Sequence, residues 1–136
     1  MIVDTSALVA VVRRERGYAE LLAAMTEQAG LIPAPVILEF ERVTARSENR
    51  PDPKARQLLA ALLDGQLKLV ALTAEDGITA ANANEAHGTG NGRGGPLNFG
   101  DLMVYAVALR SGRPILCTGA DFVRSGIALH PASRRD

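Results

Sequence analysis

Met1-Ile2-Val3-Asp4-Thr5-Ser6 runs three apolar residues into a carboxylate and then a hydroxyl side chain able to cap a following helix. That is the pattern of a short strand ending where a helix begins. Pro114-Ile115-Leu116-Cys117-Thr118-Gly119-Ala120-Asp121-Phe122 repeats it near the other end of the chain, again an apolar strand closed by an acid. Between the two, strand-like and helix-like segments alternate, which implies βαβ units with right-handed crossovers and places the chain in the α/β class. The expected architecture is a three-layer sandwich around a short, mostly parallel sheet of four or five strands, in one domain over residues 1–136. Active sites of open parallel sheets lie in the crevice beyond the carboxyl ends of the strands, where Asp4 and Asp121 fall.

Residues 6–16 and 18–29 read as two helices, the second with Leu21, Leu22 and Met25 at helical spacing and Gly30 as its stop. Leu31-Ile32 is a brief strand. A helix opening at Pro35 carries Val36, Phe40 and Val43 at three- and four-residue steps and is expected to run until Pro51 and Pro53 end it. Another helix covers 53–63, a strand 67–72, and an Ala- and Asn-rich helix 74–86. The glycine-dense stretch Gly88–Gly95 is expected to be a mobile surface loop. A strongly apolar helix follows at 99–109, then a buried strand at 115–117 and a short terminal strand at 127–129.

Composition narrows the functional classes. A chain of 136 residues buries roughly two-thirds of its unfolded surface and holds together without staples. The lone Cys117 forms no internal disulfide, and the first residues lack the charged start and apolar run of a secretory signal, so a cytoplasmic location is expected. No apolar run approaches the ~18–20 residues needed to cross a bilayer. Fifteen basic and fifteen acidic side chains cancel, so a nucleic-acid ligand has to be held by a local basic patch.

Two further acids join Asp4 and Asp121. Glu39 lies within the helix of Val36 and Phe40, where an unpaired charge is costly, and Asp101 stands in Leu97-Asn98-Phe99-Gly100-Asp101 at the opening of a late helix. Four acids at strand ends and helix starts can meet in one cleft, which suggests a metal-dependent enzyme. The motifs Asp4-Thr5-Ser6-Ala7-Leu8, Glu39, Asn98-Phe99-Gly100-Asp101 and Thr118-Gly119-Ala120-Asp121-Phe122, in this order and at these separations, together resemble the PIN-domain ribonucleases, most closely the VapC toxins of toxin–antitoxin pairs.

The resemblance implies a PIN-like fold, hydrolysis of RNA with Mg2+ or Mn2+ to leave 5′-phosphate and 3′-hydroxyl ends, a cognate antitoxin and a homodimer with adjacent clefts. Oxygen-only side chains suit a hard cation that keeps several waters. Asp4 and Asp101 are expected to ligate the metal directly, Glu39 directly or through water, and Asp121 to complete the site or hold a second ion. Ser6, Asn98 and Thr118 are candidates for orienting the acids, Ser6 and Asn98 also as helix caps. Many relatives carry another acid or Asn where this chain has Ala120, and Thr-Asp in place of Ser125-Gly126, so the downstream Asp is missing.

Arg42 and Arg46 follow Glu39 by three and seven residues, which places all three on one face of the same helix. With Arg50 and Lys54 they form a stripe able to carry RNA phosphates, and Arg93 on the glycine loop is a further candidate contact. The antitoxin is expected to insert an Arg into the acidic cleft and to lay a helix on Val9, Val12, Leu38 and Val43. Gly90-Asn91-Gly92-Arg93-Gly94-Gly95 fits G-x-G-x-x-G but follows a helix, so a dinucleotide site is rejected. His87 and His130 lack zinc-ligand spacing. The competing reading is a non-catalytic RNA-binding or antitoxin-binding relative of the same fold.

Overall fold

The computed structural model describes residues 1–136. Ile2–Val3 (β1) leads into Thr5–Val12 (α1) and Tyr18–Glu27 (α2), then Gly30–Pro33 (β2) and Ala34–Thr44 (α3). After a 3₁₀ turn at Ser47–Asn49 come Pro53–Asp64 (α4), Leu67–Val70 (β3), Ala74–His87 (α5), Phe99–Ser111 (α6), Ile115–Leu116 (β4) and Asp121–Ser125 (α7). The four strands form one sheet in the order β3-β2-β1-β4, every pair parallel. The expected α/β class is what the chain adopts, with four strands and no antiparallel edge.

Strand order decides where the cleft opens. From β1 the chain moves outward through β2 to β3, then returns to add β4 on the other side of β1, so the direction of winding reverses between β1 and β4. Crevices form at such a reversal because the flanking connections diverge there. Asp4 follows β1 and Asp121 follows β4, with Ile2 and Val3 in register with Ile115 and Leu116. Fully buried Ile2, Leu8, Ile32, Phe40, Leu67, Leu97, Ile115 and Leu116 hold the layers in one core. No helix is long and apolar enough to cross a membrane.

Several boundaries differ from the sequence expectation. The first helix stops at Val12, not near 16, because its apolar face ends there: Arg13, Arg14 and Arg16 are exposed, and Arg14 turns left-handed at φ 51. Gly30 is the first residue of β2 and not a helix stop; a Cβ there would come within 2.9 Å of Leu67 and 3.1 Å of Met1, so close strand packing requires its lack of a side chain. The third helix ends at Thr44, well before Pro51, since no apolar residue follows Phe40 on its buried face and Ala45 turns extended. The terminal strand shrinks to a single bridge between Leu129 and Ile115, as Pro131 cannot continue a ladder.

The glycine loop, expected to be mobile, carries its own ties. The Asn91 side chain accepts from the amides of Arg93 and Gly95 at 2.8 and 3.0 Å, and Arg124 of α7 donates to the Gly94 carbonyl at 2.7 Å.

Candidate active site

Asp4 is the N-cap of α1, and its extended backbone turns the carboxylate back over the first turn. Oδ2 accepts from the Ser6 amide at 2.9 Å and the Ser6 hydroxyl at 2.5 Å, while that hydroxyl oxygen accepts from the Thr118 amide at 3.0 Å. Ser6 therefore fixes Asp4 and ties the end of β1 to the end of β4. The helix cap is Asp4 and not Ser6, which lies inside the first turn and orients the Asp4 carboxylate instead. Thr118 enters this arrangement through its backbone amide.

Asp101 is the third residue of α6 and closes a capping box with Asn98. Asp101 Oδ2 accepts from the Asn98 amide and Asn98 Oδ1 from the Asp101 amide, both at 2.9 Å. Hydrogen bonds thus engage Oδ2 of both aspartates, which leaves Oδ1 of each for a ligand. Glu39, half-buried in the middle of α3, packs against the first turn of α6 at Gly100. Asp121 opens α7 and is exposed.

Three of the acids are raised together, and the Asp121 charge acts on two of them. Burial pushes the Asp4 carboxyl above the usual range against the Ser6 hydrogen bonds, with the Asp121 charge adding to the rise. Burial and then the Asp4 charge raise Glu39, opposed by the nearby Thr5 hydroxyl. Asp101 is pushed up to about 7, first by burial and then, against the Asn98 amide, by the charges of Asp4, Glu39 and Asp121. The Cys117 thiol behind them rises to about 12, by burial and next by the Asp4 charge. Carboxylates raised together by burial and by like charges lack a compensating positive charge.

Three acids do not by themselves converge tightly enough to enclose an ion. The arrangement is an open, oxygen-only edge, and that fits Mg2+ or Mn2+, which take a few carboxylates and complete their shells with water and phosphate. The Thr5 hydroxyl oxygen, buried beside the cleft with no hydrogen-bond partner, is a further polar atom there.

The basic candidates separate. Arg42 stays on α3, exposed and outside any ion pair, three residues beyond Glu39. Arg46 leaves the stripe because α3 ends before it, and its guanidinium pairs with Asp52 at 3.3 Å. Arg93 donates to the Glu85 carbonyl at the end of α5. Among the proposed antitoxin contacts, Val9 is buried in the core, whereas Leu38 and Val43 are 65% and 43% exposed. Sequence reading missed Gly100. The available signal was a glycine inside the first turn of a helix, where alanine is the better helix former.

Comparison with known proteins agrees with this fold. The PIN domain family model matches residues 1–126. Ribonuclease VapC42 of Mycobacterium tuberculosis is 36% identical over 129 residues, covering 93% of this chain and 96% of that protein. Ribonuclease VapC36 of the same organism is 37% identical over 130 residues, 93% and 91% of the two chains. The crystal structure of Mycobacterium tuberculosis VapC20, a Sarcin-Ricin loop cleaving toxin, superposes with a TM-score of 0.72 at 17% identity over 93% of this chain and 95% of that one. VapBC2 from Rickettsia felis bound to a promoter DNA fragment superposes with a TM-score of 0.64 at 13% identity, over 98% and 94% of the two chains.

Proposed function

The chain belongs to the PIN-domain family, and from that premise we propose that it is a metal-dependent endoribonuclease acting as the toxin of a toxin–antitoxin pair. The observation that supports the reading is electrostatic: Asp4, Glu39 and Asp101, from three distant segments, all have carboxyls raised first by burial, with the Asp4 charge acting on Glu39 and the charges of Asp4 and Glu39 acting on Asp101. The names of the relatives, VapC ribonucleases over nearly their whole length, support the same activity.

Asp4 and Asp101 offer Oδ1 atoms oriented by Ser6 and Asn98, and these would hold Mg2+ or Mn2+ with Glu39 as a third ligand or a partner to bound water. A divalent ion bound there supplies a water of lowered pKa and neutralises charge building on the phosphate during in-line attack. Glu39 would accept a hydrogen bond from the attacking water and direct it; water adding to phosphorus with cleavage of the P–O3′ bond, one of its protons ending on the leaving 3′ oxygen, gives 5′-phosphate and 3′-hydroxyl ends. Exposed Asp121 at the mouth of the cleft completes the charge set. Mapping new 5′-phosphate ends in cells expressing wild type beside Asp4→Asn tests this reading, and equal ends in both would overturn it.

Arg42, free on the helix of Glu39, is the side chain best placed to take a flanking RNA phosphate. Arg42→Ala should weaken binding of single-stranded RNA whatever its sequence and flatten the log K against log salt slope by about 0.7. Arg46→Ala, already engaged with Asp52, should change the slope less. Equal slopes for wild type and Arg42→Ala would place the RNA elsewhere.

An antitoxin is the expected partner, in keeping with the VapBC assemblies among the structural neighbours. Its Arg would enter the acidic cleft in competition with the cation, and its helix would lie on Leu38 and Val43, beside a pocket of about 400 Å3 lined by Leu38, Glu41, Arg42, Ala45 and Asn49. A homodimer completes the reading, with Phe99 and Ile78, 82% and 65% exposed, as apolar surface for a second copy to cover. Co-expression with the neighbouring small open reading frame should give an inactive complex that regains nuclease activity when the partner is proteolysed. A chain harmless when expressed alone, with no partner bound, would remove the toxin role.

A further inference from the structure

Gly100 lies in the first turn of α6 with ordinary helical backbone, so its conformation does not call for glycine. Glycine there costs helix stability relative to alanine. Space supplies the reason. A Cβ on Gly100 would fall well inside 3.0 Å of Glu39 Oε2 and 3.2 Å from its Cδ, closer than side chains tolerate, with Asn98 Oδ1 at 3.4 Å. The Glu39 carboxylate therefore rests on the bare backbone next to Asp101. The Thr5 hydroxyl lies near enough to Glu39 to oppose its rise but makes no hydrogen bond of ordinary geometry, so it holds the carboxylate only loosely.

We propose that Gly100 is a positioning residue for Glu39, its missing side chain being what lets the α3 carboxylate lie against α6 beside Asp101 and form one edge for the cation. This rests on the reading of Glu39 as a metal-site residue. A methyl at position 100 moves Oε2 outward by roughly an ångström to reach ordinary contact, enough to part the two carboxylates without touching the capping box of Asn98 and Asp101. Orienting contacts of this kind typically alter metal affinity by about 10–100-fold.

The test is Mn2+ binding by titration calorimetry on metal-stripped wild type, Gly100→Ala, Glu39→Ala and the double variant, with thermal melts in EDTA. Gly100→Ala is expected to bind Mn2+ about tenfold more weakly. In the Glu39→Ala background the same change should have under about a twofold effect, because the side chain it displaces is gone. Wild-type affinity in Gly100→Ala together with weakened binding in Glu39→Ala overturns the positioning role and leaves the metal site standing. Unchanged binding in Glu39→Ala removes Glu39 from the metal site and the proposal with it. Independent, additive losses also overturn it. If Gly100→Ala melts early, the double variant should recover the wild-type melt, since the clash is relieved; failure to recover shows that the methyl meets something other than Glu39.

Discussion

Asp101→Asn and Asp4→Asn are each expected to reduce RNA cleavage by at least about 100-fold while leaving a folded protein that, in EDTA, melts at or above the wild-type temperature. Both parts follow from the same charges. An amide keeps the volume and the acceptor oxygen, so Asn at 101 still accepts from the Asn98 amide and Asn at 4 still caps α1. It offers a cation far less than a carboxylate does. Without metal, the wild-type cluster is a stability cost that depends on pH. Asp101 holds its proton to about 7 in the folded state against an ordinary value of 3.8, so between those values the unfolded chain releases a proton that the folded chain keeps. Stability therefore falls as pH rises from about 4 to about 7 and stays reduced above it. Asp4 and Glu39, raised in the same direction, add to the fall. Melts in EDTA at pH 5 and pH 8 should show a steep loss for wild type and a shallower one for Asp101→Asn. Parallel slopes, or wild-type cleavage in Mg2+ by either variant, would remove these carboxylates from the centre of the chemistry.

The places of Asp4 and Asp101 in the fold were legible because each belongs to a local pattern. An apolar strand that stops at Asp4, or a capping sequence that leads to Asp101, announces its position without knowledge of the partner. The α/β class was legible for the same reason, since alternation of periodicities survives errors at individual ends. What spacing could not supply were helix ends decided by tertiary support. α3 stops at Thr44 because nothing apolar follows Phe40 on its packed face, and the polar run from Arg46 to Arg50 before Pro51 left that end open to misreading. The error carried Arg46 onto a stripe that the fold does not make. Contacts between distant segments were equally hidden. The Ser6 hydroxyl meets the Thr118 amide across 112 positions, and Glu39 meets Gly100 only after α3 and α6 have packed.

Arg110→Ala is expected to lower the melting temperature by about 5–10 °C with little change in cleavage per folded molecule. Asp76 is 1% exposed and sits in the first turn of α5, where its Oδ2 accepts from the Thr73 amide at 2.9 Å. The Arg110 guanidinium grips it from α6 through both oxygens, Nε to Oδ1 at 2.7 Å and a terminal nitrogen to Oδ2 at 2.9 Å. Truncating Arg110 leaves a buried carboxylate whose remaining support is a helix cap, and an unpaired buried charge costs more than the pair itself contributes. The partial exposure of Arg110 screens the interaction and keeps the estimate at the lower end of what buried pairs show. The Arg110 hydrogen bonds hold the Asp76 carboxyl below its usual range, so the pair stabilises above the ordinary value of 3.8 and is lost as pH falls through the depressed folded value. The gap between wild type and Arg110→Ala should accordingly be widest near neutrality and close in acid. Asp76→Asn combined with Arg110→Ala should recover part of the loss, since an amide retains the cap and carries no stranded charge. The pair lies at the far end of α6 from Asn98, Gly100 and Asp101, so it anchors the helix that presents the site without entering the chemistry. A variant that melts like wild type would show that packing between α5 and α6 holds that helix without the ion pair, whereas one that stays folded yet loses cleavage would show that Arg110 sets the position of Asp101 at a distance.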